Sequence, residues 1–394
     1  MARILMSWEL GAGYGHMAPL ISLALPLKAA GHDVTFAVRE PTTARTLLGN
    51  HDIPVLEAPA NRQVPGNVVL HSYPQILLHT CFNRTEDVMA RAAAWREIFA
   101  RTGAELLISE YSPTAMLAAR GSGLKCLATG YGFVVPPDLS PLPNLRPWED
   151  LDTAILARDE TRALDVINTV LRGLKAPVLD YLAELYPADS VALFTCRELD
   201  NYAGFRGTAE YLGPLLLRGG CQPEWPRGEG QRIFAYLKSF TTQTALLDAL
   251  KDSRQPTLIH APGFAPELLA RYACDKLRFT TELLDIDAVA RNCDLAILHG
   301  GHGILARMLL AGKPLLLLPL QLEMLINASA VLKLEAGLAA PQLRPEGMRQ
   351  KLQRLLQEPA FTLAARRFAE RYTALDVEGL PLHFLQRVER LLAA

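Results

Sequence analysis

One glycine-rich loop has the residue types of an anion-binding site, and it reads His299-Gly300-Gly301-His302-Gly303. Glycines let backbone N–H groups approach a ligand closely. The apolar stretch that follows, 304–311, predicts a helix whose first turn offers unpaired N–H donors and a partial positive charge. A diphosphate suits such a site. A short Gly-Gly-x-Gly also occurs in ordinary tight turns, so the surrounding sequence must decide between the two interpretations.

The elements around this loop form a recognisable unit. Two apolar runs of the length of buried strands, 295–298 and 315–318, enclose the loop and the predicted helix. Gly312 stands where a helix C-terminal glycine is expected, and Pro314 keeps the helix from continuing. The unit is therefore strand, loop, helix and strand, and a right-handed crossover makes the two strands parallel.

A second glycine-rich loop follows the first predicted strand, 4–7, and reads Gly11-Ala12-Gly13-Tyr14-Gly15-His16. Pro19 falls in the first turn of a helix that Gly31 ends. An imidazole that titrates near neutrality suits general-base catalysis, in which a hydroxyl loses its proton as its oxygen attacks carbon. The alternative is that His16 only caps the helix that starts beside it.

The sequence around the 299–303 loop resembles the donor-binding signature of the UDP-glycosyltransferase family, whose members have the two-domain GT-B fold. In that family Asp, an apolar run, His-Gly-Gly-x-Gly, Ala-Gly-x-Pro, Pro and Asn-Ala recur in this order. The matching residues are Asp294, His299, Gly300, Gly301, Gly303, Ala311, Gly312, Pro314, Pro319, Asn327 and Ala328. The resemblance covers nearly the whole chain. It implies an inverting transfer of sugar from a nucleoside diphosphate sugar to a hydroxyl, or another nucleophile, of a small-molecule acceptor.

The resemblance also implies roles at the first loop. There the family's Gly-His supplies the general base, which is His16 here, and Gly13 and Gly15 are assigned to the donor site. In the family an Asp at a strand end fixes that base, and Glu110, one methylene longer, stands at its position. A solvated glutamate at a strand end is the alternative interpretation, and Glu9 is a weaker candidate base.

Further donor-site assignments come from the same resemblance. Lys238-Ser239 replace a Gly-Ser pair near the phosphates, and Leu284 lies in the segment near the nucleobase. The sequence Asp285-Ile286-Asp287 superficially matches an Asp-x-Asp metal motif, but capping of a helix accounts for it better. We predict no metal and no cofactor beyond the nucleotide sugar as co-substrate, because a helix N-terminus and nearby cations would stabilise the leaving diphosphate.

Four further changes, at five positions, depart from the family pattern. Ile304 replaces a Ser or Thr, and His302 fills a position that is usually small. Glu323-Met324 replace the Asp-Gln pair that reads the sugar hydroxyls. Arg307 replaces the glutamate that grips the ribose; since guanidinium only donates, it is expected to hold phosphate or to pair with a surface carboxylate such as Glu323. Two rival functions stay open: a non-catalytic nucleotide-sugar-binding or partner protein, and a sugar-nucleotide epimerase or hydrolase on the same fold.

Length and composition place limits on the function. At 394 residues the chain can bury two cores, and its net charge of −1 argues against a nucleic-acid partner. The six cysteines lack Cys-x-x-Cys spacing, which argues against a metal site or a disulfide framework. The N-terminus lacks the apolar region of a signal peptide, and no apolar run has the length of a transmembrane segment, so we predict a cytoplasmic protein. The oligomeric state is not indicated.

Alternating strands and helices predict doubly wound parallel sheets with helices on both faces. The family resemblance implies an α/β GT-B chain with two such Rossmann-like domains facing across a cleft. A Gly- and Pro-rich segment (215–231) is the predicted linker. The resemblance then assigns an acceptor-binding domain (1–214), a nucleotide-sugar-binding domain (232–375) and a final helix (376–394) that crosses back to the first domain. Six aromatic or histidine residues in 61–100 are predicted to serve packing, with an acceptor pocket as the alternative: His71, Tyr73, His79, Phe82, Trp95 and Phe99.

Overall fold

The structure is a computed structural model, and it describes residues 1–61, 68–186, 191–215, 219–341 and 344–394. The chain divides into two compact units, Met1–Leu217 with Asp376–Ala394 and Arg218–Leu375. Each unit has its own parallel sheet and its own hydrophobic core. The prediction of two Rossmann-like parallel-sheet domains with flanking helices is confirmed. The predicted linker, 215–231, includes residues 216–218, which lie outside the described residues.

The first unit alternates strands and helices along the chain. Its strands are β1 (Arg3–Trp8), β2 (Asp33–Val38), β3 (Val55–Glu57), β4 (Leu106–Glu110), β5 (Lys125–Gly130) and β6 (Val191–Leu193). Its helices are α1 (Tyr14–Ala29), α2 (Pro41–Leu48), α3 (Tyr73–Thr80), α4 (Thr85–Thr102), α5 (Pro113–Ala119) and α6 (Thr153–Gly173). Within the described ranges these strands form one sheet in the order β3-β2-β1-β4-β5-β6.

The order of this sheet reverses between β1 and β4, which lie side by side and parallel. Their register pairs Trp8 with Glu110, the last residue of each strand. Both strands are buried along their length apart from Arg3, as expected for central strands covered on both faces. In open parallel sheets, ligands bind beyond the carboxyl ends of the strands at such a reversal. The loops after β1 and β4 are therefore the place to look for a site in this unit.

The second unit repeats the architecture. Its strands are β7 (Ile233–Tyr236), β8 (Thr257–His260), β9 (Leu277–Thr280), β10 (Leu295–Leu298), β11 (Leu315–Leu317) and β12 (Gly337–Ala339). Its helices are α7 (Gln243–Ser253), α8 (Pro266–Tyr272), α9 (Ile286–Asn292), α10 (His302–Leu310), α11 (Leu322–Lys333), α12 (Pro345–Gln357) and α13 (Pro359–Arg371). The strand order in the part of the chain described is β12-β11-β10-β7-β8-β9, so the reversal lies between β10 and β7.

The last helix, α14 (Leu380–Ala393), belongs to the first unit. It buries one apolar face, with Leu380, Phe384 and Val388, in the core that also contains α1. The Lys125 ammonium donates to the backbone carbonyls of Leu391 and Leu392, at 3.0 and 3.3 Å. A cation is favourable there because the last carbonyls of a helix have no partner within the helix. Of the helices described, none combines the length and apolar character that crossing a bilayer requires.

Candidate active site

A histidine–carboxylate pair lies at the carboxyl ends of β1 and β4. His16 is in the first turn of α1, and Glu110 ends β4. The Nδ1 atom of His16 lies 3.0 and 3.1 Å from the two carboxylate oxygens of Glu110. Both side chains are almost completely buried, at 8% and 5% exposed, so Glu110 is not a solvated residue. A carboxylate bound at Nδ1 favours the tautomer with a proton there, which puts the proton-accepting lone pair on Nε2.

Aromatic rings and a glycine surround this imidazole. The ring of His16 stacks with Trp8, at 5.4 Å between centroids, and with Tyr111, at 6.1 Å. Its Nε2 atom faces Gly11, where an added Cβ would lie only 2.1 Å away. Gly11 also has a φ of +88°, which L side chains rarely adopt. Only glycine therefore fits between the accepting nitrogen and the backbone of the first loop.

The weaker candidate base, Glu9, is sealed inside the first unit. Its side chain has no exposed area, and Oε2 accepts a hydrogen bond of 2.9 Å from the backbone N–H of Thr114. Burial raises the pKa of Glu9 to about 7, while Thr114 and the charge of Arg91 act in the opposite direction. This carboxyl has no exposed area through which a substrate hydroxyl could reach it. It instead stabilises the N-terminus of α5.

The rest of the first loop is open. An added Cβ at Gly13 or Gly15 would meet no neighbouring atom within 4 Å, although Gly13 has a φ of +83°. The N–H of Gly13 donates to Glu40 at 3.3 Å, and the Thr43 hydroxyl binds the same carboxylate oxygen at 3.0 Å. One loop donor is therefore already bound to an anionic side chain of the same unit.

The second glycine-rich loop is anchored by main-chain contacts. His299 donates from Nδ1 to the carbonyl of Leu318, at 2.8 Å, and accepts at Nε2 from the N–H of Lys238, at 2.9 Å. Burial lowers the pKa of His299, which favours the neutral ring that these two bonds require. The ring therefore ties the end of β10 to the segments that follow β7 and β11, and its contribution to a ligand site is to fix the loop.

The glycines that follow His299 are fitted closely to α11. Gly300 has a φ of +100°, and a Cβ there would lie 3.1 Å from the backbone oxygen of Met324. Asn327 donates from its side-chain amide to the Gly300 carbonyl at 2.9 Å, which explains the Asn of the Asn-Ala signature. The helix α10 is capped by Gly301 without any side-chain hydrogen bond. Its first N–H groups are the donors that suit an anion.

The nearby acidic segment behaves as a helix cap and an ion-pair partner. Asp285 accepts from the N–H of Ala288 at 3.0 Å, which confirms the prediction that this segment caps a helix. Asp287 forms an ion pair with Arg307 of α10. The sequence suggested Glu323 as a carboxylate partner of Arg307, but the structure places Asp287 there. Sequence patterns did not reveal this pair because the packing of α9 against α10 decides it.

The other residues predicted to bind the donor have varied surroundings. Lys238 and Ser239 are exposed at the end of β7, and the Ser239 hydroxyl binds Gln243 at 3.1 Å. Leu284 is buried and pairs with Cys221 in an isolated bridge. His302 and Met324 are buried, whereas Gly303, Ile304 and Glu323 are partly exposed. The donor-binding role of all these residues stays a prediction.

The residues suggested for an acceptor pocket in 61–100 mostly serve packing. Tyr73, Phe82 and Trp95 are fully buried, which confirms that interpretation for them. His71 instead binds the carboxylate of Glu149, at 3.0 Å from Nε2. All six cysteines lie within the described ranges and are free thiols. Across those ranges no three His, Cys, Asp or Glu side chains gather in a way that could hold a metal ion.

Comparisons with known proteins agree with this architecture. Residues 260–375 match the glycosyltransferase family 28 C-terminal domain. A PGL/p-HBAD biosynthesis glycosyltransferase of Mycobacterium tuberculosis is 25% identical over 410 residues, covering 97% of this chain and 91% of that protein. The structure of the calicheamicin glycosyltransferase CalG4 has a TM-score of 0.71 at 18% identity, covering 100% of this chain and 98% of that one. The spinosyn rhamnosyltransferase complexed with thymidine diphosphate has a TM-score of 0.69 at 16% identity, covering 98% and 100%.

The relative and the two solved structures match nearly the whole length of the chain, whereas the family model matches residues 260–375. The chain therefore has the GT-B fold and resembles GT-B glycosyltransferases as a divergent member. They support glycosyltransferase function. The low identities leave donor and acceptor to be argued from the site itself.

Proposed function

We propose that this divergent relative of GT-B glycosyltransferases moves a sugar from a nucleoside diphosphate sugar to a hydroxyl of a small-molecule acceptor, with inversion at the anomeric carbon. One observation carries the proposal. The carboxylate of Glu110 holds His16 at Nδ1, 3.0 Å away, while Nε2 faces the backbone of the first glycine-rich loop. A buried imidazole oriented by a carboxylate is the arrangement that general-base catalysis needs, and it has no evident use in a protein that only binds.

In the proposed reaction, Nε2 of His16 takes the proton of the acceptor hydroxyl as its oxygen bonds to the anomeric carbon. The bond from that carbon to the diphosphate oxygen breaks in the same step, and the electron pair leaves with the diphosphate. A single displacement of this kind inverts the configuration. Glu110 stabilises the imidazolium that forms, because its negative charge lies at the opposite ring nitrogen.

The diphosphate is assigned to the 299–303 loop and the N-terminus of α10. The backbone N–H groups of the first turn of α10 and the exposed Lys238 would stabilise the leaving group without a metal ion. Ile304 offers no hydroxyl, so binding here relies on backbone donors. The solved complexes of the spinosyn rhamnosyltransferase contain thymidine diphosphate in one case and spinosyn aglycone in another. By analogy, a nucleoside diphosphate sugar and an aglycone-like acceptor are the substrate classes for this chain.

The test is a transfer assay with a panel of nucleoside diphosphate sugars and hydroxyl-bearing acceptors. Product should require both substrates and should disappear in His16→Ala. His51→Ala is the control, because His51 is exposed and lies outside both glycine-rich loops. Donor consumption without an acceptor product would indicate the epimerase or hydrolase alternative. Donor binding without any turnover would indicate a binding protein, and either result would refute the proposal.

A further inference from the structure

A second buried carboxylate lies at the same sheet edge as His16 and has no role in the proposed reaction. Glu9 follows β1 directly and is fully buried. The N-cap residue of α5, Ser112, makes no side-chain capping bond. Glu9 caps the helix instead, because its Oε2 accepts a hydrogen bond from the N–H of Thr114 in the first turn of α5. A carboxylate there is stabilised by the positive end of the helix.

Besides the pairing of Trp8 with Glu110 in the sheet, two hydrogen bonds join the segment 8–11 to the segment 110–114. One is the bond from Thr114 to Glu9, and the other runs from the N–H of Leu10 to the carbonyl of Tyr111, at 3.0 Å. Tyr111 has a φ of +45°, which is strained for a residue with a side chain. These two segments contain the groups described around His16: Trp8, Gly11, Glu110 and Tyr111. A shift of either segment therefore changes the surroundings of the imidazole.

Further polar side-chain atoms lie buried at the start of α5. Glu9 Oε1 and the hydroxyls of Ser112 and Thr114 are buried and have no hydrogen-bond partner in the described part of the chain. The Thr114 hydroxyl lies near enough to lower the pKa of Glu9, but only its backbone N–H meets hydrogen-bond geometry. An ionised carboxylate in this place needs donors for both oxygens, and rotation of these hydroxyls toward Oε1 would supply them.

The other titratable or charged groups near Glu9 come from three further segments. Arg91 on α4 lowers the pKa of Glu9, whereas Cys81 and Tyr186 have their own pKa values raised, mainly by burial and further by the charge of Glu9. Burial outweighs the other effects and raises the pKa of Glu9 to about 7. Glu9 therefore changes its charge in the pH range in which a histidine base must also be unprotonated.

We propose that Glu9 is a positioning residue whose protonation state sets the geometry around His16, through the cap of α5 and the paired segments 8–11 and 110–114. The ionised form draws the hydroxyls of Ser112 and Thr114 toward Oε1 and tightens the start of α5 behind Tyr111. The protonated form keeps one weaker bond to Thr114 and loosens that contact. The catalytic consequence rests on the proposed function, but the structural coupling does not.

The decisive measurement is the titration of the His16 ring resonances by NMR in the full chain, with selectively labelled histidine. In the wild type these resonances should respond to two titrating groups, the ring itself and Glu9, whose pKa is raised to about 7 by burial. In Glu9→Gln only the titration of the ring itself should remain, because the amide keeps the shape of the carboxyl but cannot titrate. Glu149→Gln is the control, since Glu149 binds His71 instead, and it should keep both titrations.

Superimposable His16 titration curves in wild type and Glu9→Gln would overturn the proposal. A second variant guards against a purely structural effect. Glu9→Asp keeps the charge but shortens the reach to Thr114, so the response to the titration of this carboxyl should move or broaden while thermal unfolding stays cooperative. If transfer activity is found, Glu9→Asp should lower kcat by roughly ten- to a hundredfold with KM nearly unchanged. If no activity is found, the NMR result still decides the coupling, and only the proposed function fails.

Discussion

The two glycine-rich loops each contain a buried histidine, and the partners of its ring nitrogens differ. In the first unit, Nδ1 of His16 binds the carboxylate of Glu110, and Nε2 lies against Gly11. In the second unit, both ring nitrogens of His299 bind main-chain atoms, and burial lowers its pKa. A carboxylate stabilises the protonated ring, whereas a buried main-chain cage stabilises the neutral ring. The same residue type is therefore suited to accept a proton in one loop and to fix the backbone in the other.

The largest effect is expected from removing the first of these histidines. His16→Ala should lower turnover by roughly two to four orders of magnitude and leave donor affinity nearly unchanged, because a general base acts in the transition state. Glu110→Gln should cost less, since it keeps the shape and removes only the charge. Steady-state kinetics together with calorimetric donor binding separates the two. Near wild-type turnover in His16→Ala would mean that another group accepts the proton. The two histidines would then no longer differ in function.

Gly11→Ala sharpens the same comparison without touching either histidine. The new methyl group would lie 2.1 Å from Nε2 of His16, at a backbone φ of +88°. The ring must move off Glu110, so kcat should fall by roughly a hundredfold. Gly204→Ala is the matched control, because an added Cβ there meets nothing within 4 Å. Unchanged kinetics in Gly11→Ala would mean that the site does not depend on the ring position seen here.

Replacing the histidine of the second loop should change the stability of the protein and the dependence of that stability on pH. The pKa of His299 is lowered by burial, so the unfolded chain binds this proton more readily than the folded chain does. Its contribution to stability is therefore complete above the unfolded pKa of about 6.5 and is lost as pH falls through the lower folded value. His299→Ala should cost about 1–3 kcal/mol at pH 8, because two backbone groups lose their partner, and should reduce the loss on acidification.

Denaturant unfolding at pH 5 and pH 8, followed through the transition of the second unit, checks this expectation. His383→Ala is the control, because His383 is exposed on α14 and its removal should change stability by less than about 0.5 kcal/mol. An equal loss on acidification in wild type and His299→Ala would show that the main-chain cage does not favour the neutral ring.

The sequence predicted the elements of both loops better than their partners. The predicted helix 304–311 corresponds to α10, which begins two residues earlier at His302, and the predicted strand 315–318 corresponds to β11. The contact between His16 and Glu110 was predicted from the family resemblance, and the pairing of β1 with β4 brings the two side chains together. The stacking of Trp8 and the approach of Gly11 were not, because they depend on strand register and ring orientation. Glu9 at a strand end gave no sign of its burial, which the packing of α5 determines.

The smallest effect concerns Arg307, for which the sequence left open a phosphate contact or a pair with a surface carboxylate, and the structure shows an ion pair with Asp287. Because Asp287 already holds the guanidinium, Arg307→Ala should weaken binding of a nucleoside diphosphate by less than about 1 kcal/mol. Asp287→Asn should instead strengthen binding of the nucleoside diphosphate, since it releases the Arg307 guanidinium to contact phosphate. This gain in affinity should grow at low salt. Isothermal titration at two salt concentrations measures both. Unchanged affinity in both variants would leave the pair as a link between α9 and α10, and the second loop would then bind its anion by backbone donors and Lys238.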